Sequence, residues 1–414
     1  MSNTKKTVSE HRLFVLSALE RLENGELATL VLKDAPVESH RLCQEILLGV
    51  QRWNGSLVKM IQSNVKRKPK TWIQRLLKMA LYELYFMNQA PHAVINEAVE
   101  ICKQSKYKAQ SNFVNAVLRQ INYPAGVYAN ENFPDWLKNL WSQNGQWLKS
   151  LQKPPKSGVV FLSKTIPDSY KNLVERHCTI EGTLVPGVIY STQKGPISTW
   201  QGYDDGEWWI MNPAAVHTVD FALSALPTIN KVSALDMCAA PGGKTFRLKS
   251  RGISVVSMDI SRSRLNRLEE NAKRLGLSVD VIAQDATLFN PDLGTFDLVL
   301  LDAPCSGLGV IRKHPEIRWN RTLADVKSNA LLQMRLLQTA SRYVADNGRL
   351  VYCVCSLHPE EGDKVIHNFM EKNPDWQLHS EWKTPIHSSN VHQELLDGFQ
   401  VYIFEKKINS DMNK

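Results

Sequence analysis

Long apolar runs are missing from this chain of 414 residues. No window approaches the ~18 apolar residues of a membrane span, and the opening MSNTKKTVSE lacks the apolar core of a secretory signal. Glycine and proline are modest in number, 21 and 19, and no repeat or low-complexity segment occurs, which excludes collagenous, fibrous and disordered classes. The seven cysteines (Cys43, Cys102, Cys178, Cys238, Cys305, Cys353, Cys355) are odd in number and scattered. With no CxxC pair and no histidine at zinc-ligand spacing, reduced thiols and no metal centre are expected. Two nucleotide fingerprints are also absent. GxGxxG occurs nowhere, and Gly243-Lys244-Thr245 fails the P-loop pattern because Cys238 stands where its leading glycine belongs. A soluble, cytoplasmic protein is expected.

What is present is the composition of a folded protein, 43% hydrophobic and 22% charged. The length is about three times the ~150-residue domain prior, so two or three domains are expected. Lys and Arg outnumber Asp and Glu by 50 to 41, a net charge of +9 that favours a polyanionic partner such as nucleic acid. The excess is not evenly spread. Residues 1–125 carry 18 basic and 10 acidic side chains, whereas residues 126–414 carry 32 and 31.

Patterning divides the chain in three. Over residues 8–121 apolar side chains recur at helical spacing, in HRLFVLSALERL, RLCQEILLGVQRW and WIQRLLKMALYELYFM. Breaks at Asn24-Gly25, 33–39, Lys68-Pro69 and Pro91 predict four to seven helices in an all-α domain, 1–125. Residues 126–205 read as a small α+β module, with a short helix near 136–141, apolar runs at 159–162 and 185–190, and a helix at 169–177. Over 206–410 strands and helices alternate as in a doubly wound, mostly parallel sheet. Strands are expected at 233–237, 255–259, 279–282, 298–301 and 350–355, and helices at 245–250, 262–275, 324–345 and 361–371.

In such a sheet the ligand lies at the carboxyl ends of the strands. After the first strand comes Cys238-Ala239-Ala240-Pro241-Gly242-Gly243-Lys244, whose small residues let the backbone approach a ligand before a helix starts. Asp259 ends the second strand, where a carboxylate can accept both hydroxyls of a ribose, although it could equally cap the helix after Ser261. Asp285 ends the third. Acids after successive strands, with no phosphate signature, suit a nucleoside ligand without phosphate, and S-adenosylmethionine is the candidate.

Two further strand ends carry Asp302-Ala-Pro-Cys-Ser-Gly307 and Tyr352-Cys-Val-Cys-Ser-Leu-His-Pro-Glu360. A lone buried cysteine is usually an inert small hydrophobe. Cys305 and Cys355 differ because each ends its strand beside a serine. Methylation at C5 of a pyrimidine wants such thiols: C5 is too weak a nucleophile to attack a sulfonium methyl until a thiolate has added at C6. Ionising that thiol needs basic neighbours or a helix N-terminus, and Pro359-Glu360-Glu361 opens a helix near Cys355. Asp302 can hydrogen-bond N3 and N4 of cytosine as charge develops, or it can simply cap a turn before Pro304.

These motifs resemble the RNA cytosine-5 methyltransferases, and within them the bacterial ribosomal RNA small-subunit methyltransferase B group, also called Sun or Fmu. The resemblance rests on CAAPGGKT at 238–245, DAPCSGLGVIRKHPEIRW at 302–319 and LVYCVCSLHPEE at 350–361. QEILLGVQRW at 44–53, LLKMALYEL at 76–84, PHAVINEAVE at 91–100 and FVNAVLR at 113–119 resemble the NusB-like domain of that group. The resemblance implies a Rossmann-like methyltransferase domain behind a NusB-like, RNA-binding bundle, acting as a monomer on 16S rRNA. It implies that Cys355 is the nucleophile and that Cys305 assists release of the methylated base. Residues 238–244, Asp259, Asp285 and Asp302 then bind or face S-adenosylmethionine, Lys244 pairs with Asp302, and Arg264 lies near the cofactor.

Three departures from the family pattern stand out. Val354 replaces the usual threonine before the nucleophile, Met211-Asn212-Pro213-Ala214-Ala215 replaces a polar Gln-Asp stretch, and Gln400 follows Asp397-Gly398-Phe399 where an aromatic is common. RNA contacts are expected from Lys66, Arg67, Lys68 and Lys70, from Lys103, Lys106 and Lys108, and from Arg312, Lys313, His314 and Arg318. A tRNA substrate is compatible with the catalytic motifs. A non-catalytic RNA-binding factor is the reading from another class, and the intact set Lys244, Asp302, Cys305 and Cys355 speaks against it.

Overall fold

The computed structural model describes residues 8–122, 129–156, 158–180, 183–191, 196–386 and 396–407. The domain boundary expected at 125 lies outside them. The chain forms two compact units, Met1–Pro154 with Ile311–Asn320, and Pro155–Val310 with Arg321–Lys414. Residues 129–154 group with the helices, and 158–180, 183–191 and 196–205 with the sheets.

The first unit is helical. Its main body comprises helices Glu10–Glu23, His40–Arg52, Asn54–Gln62, Thr71–Tyr85, Pro91–Gln104 and Ser111–Gln120. Each turns an apolar stripe inward, with Val15, Leu19, Ile46, Leu57, Leu76, Ala98 and Val114 in one buried cluster. Buried Glu83 is matched by Arg12 at 2.6 Å, and the same guanidinium reaches Glu97.

The segment Ile311–Asn320 belongs to this unit, and it corrects the RNA contacts expected from Arg312 and Arg318. Both side chains are buried. Arg318 donates to the carbonyls of Arg52 (3.3 Å), Asn132 (3.1 Å) and Leu151 (3.1 Å), and its guanidinium lies 4.4 Å from the Phe133 ring. Arg52 donates to the Arg312 carbonyl at 3.1 Å, Trp319 to the Gln51 carbonyl at 2.8 Å, and buried Glu316 accepts from the Ala28 amide at 3.1 Å. A basic run in sequence is thus a set of internal braces. Burial, with Arg52 adding repulsion, pushes Arg318 down to about 9.

In the second unit, strands β1 (Gly158–Phe161), β2 (Val174–Ile180), β3 (Thr183–Ser191) and β4 (Trp208–Ile210) form an antiparallel sheet in the order β2-β3-β1-β4. The helix expected at 169–177 is a 3-10 turn, Asp168–Leu173, followed by β2. Pairing with β3 overrides the local helical signal there.

The larger sheet contains β5 (Ser233–Met237), β6 (Ser254–Asp259), β7 (Asp280–Ala283), β8 (Phe296–Asp302), β9 (Val344–Val354), β10 (Trp376–Lys383) and β11 (Gln400–Lys406). Its order is β10-β11-β9-β8-β5-β6-β7, parallel from β9 to β7 and antiparallel at β11 and β10. Strand residues alternate between two cores. Ala234, Leu298, Leu300, Val351 and Cys353 face one, with helices Pro213–Ser224, Gly243–Ser250 and Arg262–Arg274. Leu235, Met237, Val299, Leu301, Tyr352 and Val354 face the other, with helices Leu323–Ser341 and Asp363–Lys372. The fold is the doubly wound class read from sequence. Because β5 lies between β6 and β8, the winding reverses at β5, and a ligand crevice is expected at the carboxyl ends of β5 and β8.

Asp236 on β5 is fully buried, and its Oδ2 accepts from Thr245 Oγ at 2.6 Å, while Thr245 Oγ lies 3.1 Å from Ser257 Oγ. Oδ1 has no partner. Burial pushes this carboxyl up to about 7. An unfolded aspartate titrates near ~4, so the folded chain holds the extra proton between those values. The contribution is complete below about pH 4 and is lost as pH rises through 7. Asp236→Asn is therefore expected to flatten the decline of stability between pH 5 and 8, measured by urea unfolding in a pH series. In the first unit, Arg318→Met strands three carbonyls and is expected to cost about 3 kcal/mol, read as a lower urea midpoint of the helical signal.

Candidate active site

The turn after β5 is built for close approach. Cys238 takes φ +62° and Gly242 φ +107°. A side chain at Gly242 would meet Phe246 at 2.5 Å and Leu268 at 2.8 Å, so both backbone and packing require glycine. At Gly243, the first residue of its helix, a Cβ would meet nothing nearer than Met211 at 3.6 Å. The helix thus starts at a small residue directly after the turn, where backbone amides are free of intrahelical partners.

Asp259 ends β6 and is 2% exposed. It accepts from the amides of Ala240 (3.2 Å) and Ser261 (2.9 Å), and Arg264 lies 3.4 Å away while also donating to the Ala240 carbonyl. The helix after β6 is capped by Ser261, not by Asp259. Asp285 follows β7, accepts from the amide (2.9 Å) and hydroxyl (2.8 Å) of Thr287, and is held below the usual carboxylate range by those bonds. The turn, Asp259 and Asp285 thus stand at or just beyond the carboxyl ends of β5, β6 and β7, a glycine-rich turn beside two acids, which suits a nucleoside ligand such as S-adenosylmethionine.

Lys244 and Asp302 form an ion pair at 2.5 Å, the lysine side chain 9% exposed and the aspartate 34%. Burial opposes the ammonium charge, but Asp302 outweighs it and holds Lys244 above its ordinary value. Asp302 also accepts from Cys353 Sγ at 3.5 Å. It remains the carboxylate of this pair that can meet a ligand.

Parallel pairing sets Asp302 opposite Cys353, so the chain beyond each strand emerges side by side. There Cys305 Sγ and Cys355 Sγ lie 3.3 Å apart, both half-buried, and one residue further Ser306 Oγ and Ser356 Oγ also lie 3.3 Å apart. The Cys305 thiol is pushed well above its ordinary value, first by its bond to Cys355, then by burial. The other two cysteines at this edge are silenced: burial and the neighbouring carboxylates push Cys238 up to about 12 and raise Cys353 well above its usual value.

Sequence reasoning missed the residues that brace these turns. Glu361 is fully buried and accepts from the Ser306 amide at 2.7 Å, from Ser306 Oγ, and from Gln333 Nε2 at 3.3 Å. Gln333 also donates to the Pro304 carbonyl at 2.9 Å. Gln400 donates to the carbonyls of Ser356 (2.8 Å) and His358 (3.4 Å), and accepts from Tyr402 at 2.9 Å. Glu361 could have been noticed as an acid in the motif at 350–361. Gln333 and Gln400 carry no local signal, since only the tertiary fold shows what they hold. Asn212 caps helix Pro213–Ser224 through the Ala214 amide at 2.8 Å and donates to Asp397, so the altered stretch at 211–215 keeps polar contacts. Among the described residues no group of His, Cys, Asp and Glu could hold a metal ion, and no helix is long and apolar enough to cross a membrane.

Comparison with known proteins adds family membership to this geometry. Residues 224–411 match the family model described as 16S rRNA methyltransferase RsmB/F, and residues 9–123 match the NusB family. The chain is 30% identical over 406 residues to ribosomal RNA small subunit methyltransferase B of Cronobacter sakazakii, covering 90% of this chain and 92% of that protein. It is 31% identical over 402 residues to the protein of the same name from Vibrio cholerae, covering 89% and 90%. Among solved structures, that of PH0851 aligns with a TM-score of 0.74 at 22% identity, covering 97% of this chain and all of that one. A methyltransferase homolog protein from Pyrococcus horikoshii aligns at 0.52 and 25% identity, covering 66% and 94%. NSun6 from the same organism, solved with SFG, aligns at 0.51 and 19%, covering 66% and 97%. With the NusB-type helices, the doubly wound sheet and these relatives along most of its length, the chain belongs to the RsmB/F family of 16S rRNA methyltransferases.

Proposed function

We propose that this methyltransferase modifies C5 of a cytosine in 16S rRNA through a covalent bond between Cys355 and C6 of the base. The observation that supports this reading most is the pair of thiols 3.3 Å apart at neighbouring strand ends, beside a carboxylate anchored by a buried lysine. C5 gains nucleophilic character when the Cys355 thiolate adds at C6 and pushes an electron pair towards C5. Asp302 accepts from the N4 amino group, and Lys244, 2.5 Å away, orients that carboxylate. Residues 238–244, Asp259 and Asp285 hold S-adenosylmethionine, and Arg264 tethers Asp259 to the turn. Bound S-adenosylmethionine supplies an electrophilic methyl group.

After transfer, C5 still carries a proton. Cys305 as a thiolate takes it, the C5=C6 bond re-forms, and Cys355 leaves as a thiolate. The pairing of the sulfurs gives these steps an order. With the two thiols hydrogen-bonded, Cys305 is held well above its ordinary value, first by that bond and then by burial. Once the Cys355 sulfur is bonded to carbon, the thiol partner of Cys305 is gone, and Cys305 can act when a base is needed.

Cytosine must leave its stack to reach a thiol, at a cost of a few kcal/mol that RNA contacts must supply. Lys66, Arg67, Lys68, Lys70, Lys106 and Lys108 are exposed on the helical unit. Lys70 and Lys106 each sit 5.5 Å from the Tyr107 ring, itself stacked on Trp72 at 5.1 Å. We assign these cations to RNA phosphates.

Two experiments test the reading. Cys355→Ala is expected to abolish transfer of labelled methyl to small-subunit RNA, while Cys305→Ala accumulates a protein-RNA adduct on denaturing gels; full activity of Cys355→Ala overturns the nucleophile assignment. Bisulfite sequencing of ribosomal and transfer RNA from cells with and without the gene names the cytosine. Reversing Lys70 and Lys106 to Glu is expected to lower the slope of log affinity against log salt by about 1.4, at ~0.7 per lost single-strand phosphate contact. An unchanged slope would return these lysines to the role of a solvated surface.

A further inference from the structure

Glu361 is a strongly anchored acid at this edge that the proposed chemistry leaves unused. Its side chain is fully buried. Among the described residues no Lys, Arg or His forms an ion pair with it, and hydrogen bonds hold it instead. Leaving a carboxylate in such a place is costly unless it is fully satisfied, and the donors that satisfy it are specific. Two of the three come from Ser306, the residue after Cys305: the amide at 2.7 Å and the hydroxyl. The third is Gln333 Nε2 at 3.3 Å, the same group that holds the Pro304 carbonyl at 2.9 Å, on the other side of Cys305. Cys305 is therefore gripped through both of its chain neighbours by one carboxylate and one amide.

Glu361 is itself fixed to the other thiol strand. Tyr352 on β9 donates to the Glu361 carbonyl at 2.6 Å, and the shared serine contact, Ser306 to Ser356 at 3.3 Å, ties the grip to the residue following Cys355. Ser356 is held in turn by Gln400 through its carbonyl, and the Gly309 amide donates to the Cys355 carbonyl at 3.0 Å.

We propose that Glu361 is a positioning residue for the release step: acting through Ser306, with Gln333 holding Pro304, it sets the sulfur of Cys305 against the site where Cys355 bonds the base. This rests on the covalent reading above. In release, the Cys305 thiolate removes the C5 proton, the electron pair forms C5=C6, and the bond from C6 to the Cys355 sulfur breaks. A sulfur displaced by an ångström loses the alignment on which such proton transfer depends. Methyl transfer requires only Cys355, so loss of the grip slows release and spares addition. Glutamine at 361 keeps the size of the side chain but turns one acceptor into a donor, which faces either the Ser306 hydroxyl, in the place of Oε2, or the Ser306 amide and Gln333 Nε2 together, in the place of Oε1.

The test compares Glu361→Gln, Cys305→Ala and the double variant in the full-length protein, with Ser306→Ala as a second variant that leaves the buried charge in place. RNA containing 5-fluorocytidine scores adduct formation alone, because fluorine occupies the position from which the proton must leave. Expected for Glu361→Gln are adduct formation and RNA affinity within about twofold of wild type, turnover at least tenfold slower, and accumulation of the covalent complex on unmodified RNA. Ser306→Ala is expected to slow release in the same direction. The double variant is expected to be no slower than Cys305→Ala, since the grip has no sulfur left to position. Multiplicative loss in the double variant, wild-type turnover in Glu361→Gln, or equal loss of adduct formation overturns the assignment. Failure of the wild-type protein to form any adduct with the fluorinated RNA would instead overturn the covalent reading itself.

Discussion

The arrangement of the site depends on the parallel pairing of β8 with β9. Asp302 stands opposite Cys353, and the amide of Ala303 donates to the Cys353 carbonyl at 3.0 Å. From that point each strand runs on to a Cys-Ser dipeptide, and the two dipeptides meet sulfur to sulfur and hydroxyl to hydroxyl. A slip of one residue would exchange the two faces of a strand, moving Leu300 and Leu301 between cores and carrying Cys305 away from Cys355. The register is specified by the apolar layers on both faces, so the geometry of the thiols follows from how the sheet is covered.

The same edge gathers more acid than base. Asp236, Asp259, Asp302 and Glu361 lie in or beside it, and the cations paired there are Lys244 and Arg264. In surroundings poor in water such an imbalance penalises any further negative charge. Cys238, half-buried, and Cys353, fully buried, show the effect: each feels Asp302, and each is held as a neutral thiol. The half-buried Cys305 and Cys355 lie beyond the strand ends, where they have each other as partners. Four cysteines within one sheet edge thus differ in setting: Cys238 and Cys353 lie beside carboxylates, while Cys305 and Cys355 face each other.

The doubly wound domain was legible from the sequence because its strands are covered on both faces and alternate with amphipathic helices, so the expected strand at 233–237 coincides with β5. The helical bundle was legible for a similar reason. What escaped was decided by distant parts of the chain. The stretch at 169–177 reads as helix until β3 pairs with it. Arg312 and Arg318 read as a surface for RNA, yet their segment packs among the helices of the first unit, where three backbone carbonyls claim the Arg318 guanidinium. Charge in sequence cannot distinguish a solvated cation from a buried donor, since the difference lies in acceptors contributed by Arg52, Asn132 and Leu151. In the candidate site, the residues on motif loops were legible because close approach and strand ends leave local marks. Glu361, Gln333 and Gln400 act by holding backbone carbonyls and amides of other segments, and such roles leave none.

The departures from the family pattern make physical sense on the same grounds. Val354 is fully buried with Tyr352 and Leu301 in an apolar layer, where a hydroxyl would need a partner to avoid a desolvation cost. Gln400 stands where an aromatic is common, and it supplies what a ring could not: two donors to the carbonyls of Ser356 and His358, and an acceptor for Tyr402. Gly398, two residues earlier, lets the backbone of Gly309 pass so closely that a Cβ at Gly309 would meet the Gly398 carbonyl at 1.8 Å. The Gly398 amide donates to the Gly309 carbonyl at 2.8 Å, and the Gly309 amide in turn donates to the Cys355 carbonyl. The turn after Cys355 is therefore braced twice, once from β11 by the Gln400 amide and once through the paired glycines that precede it. A glutamine brace works through direction as well as contact, because its donors satisfy carbonyls that would otherwise face the sheet interior unpaired. Substituting one brace for another changes how the loop is held while leaving the Cys355 turn fixed against the end of β8.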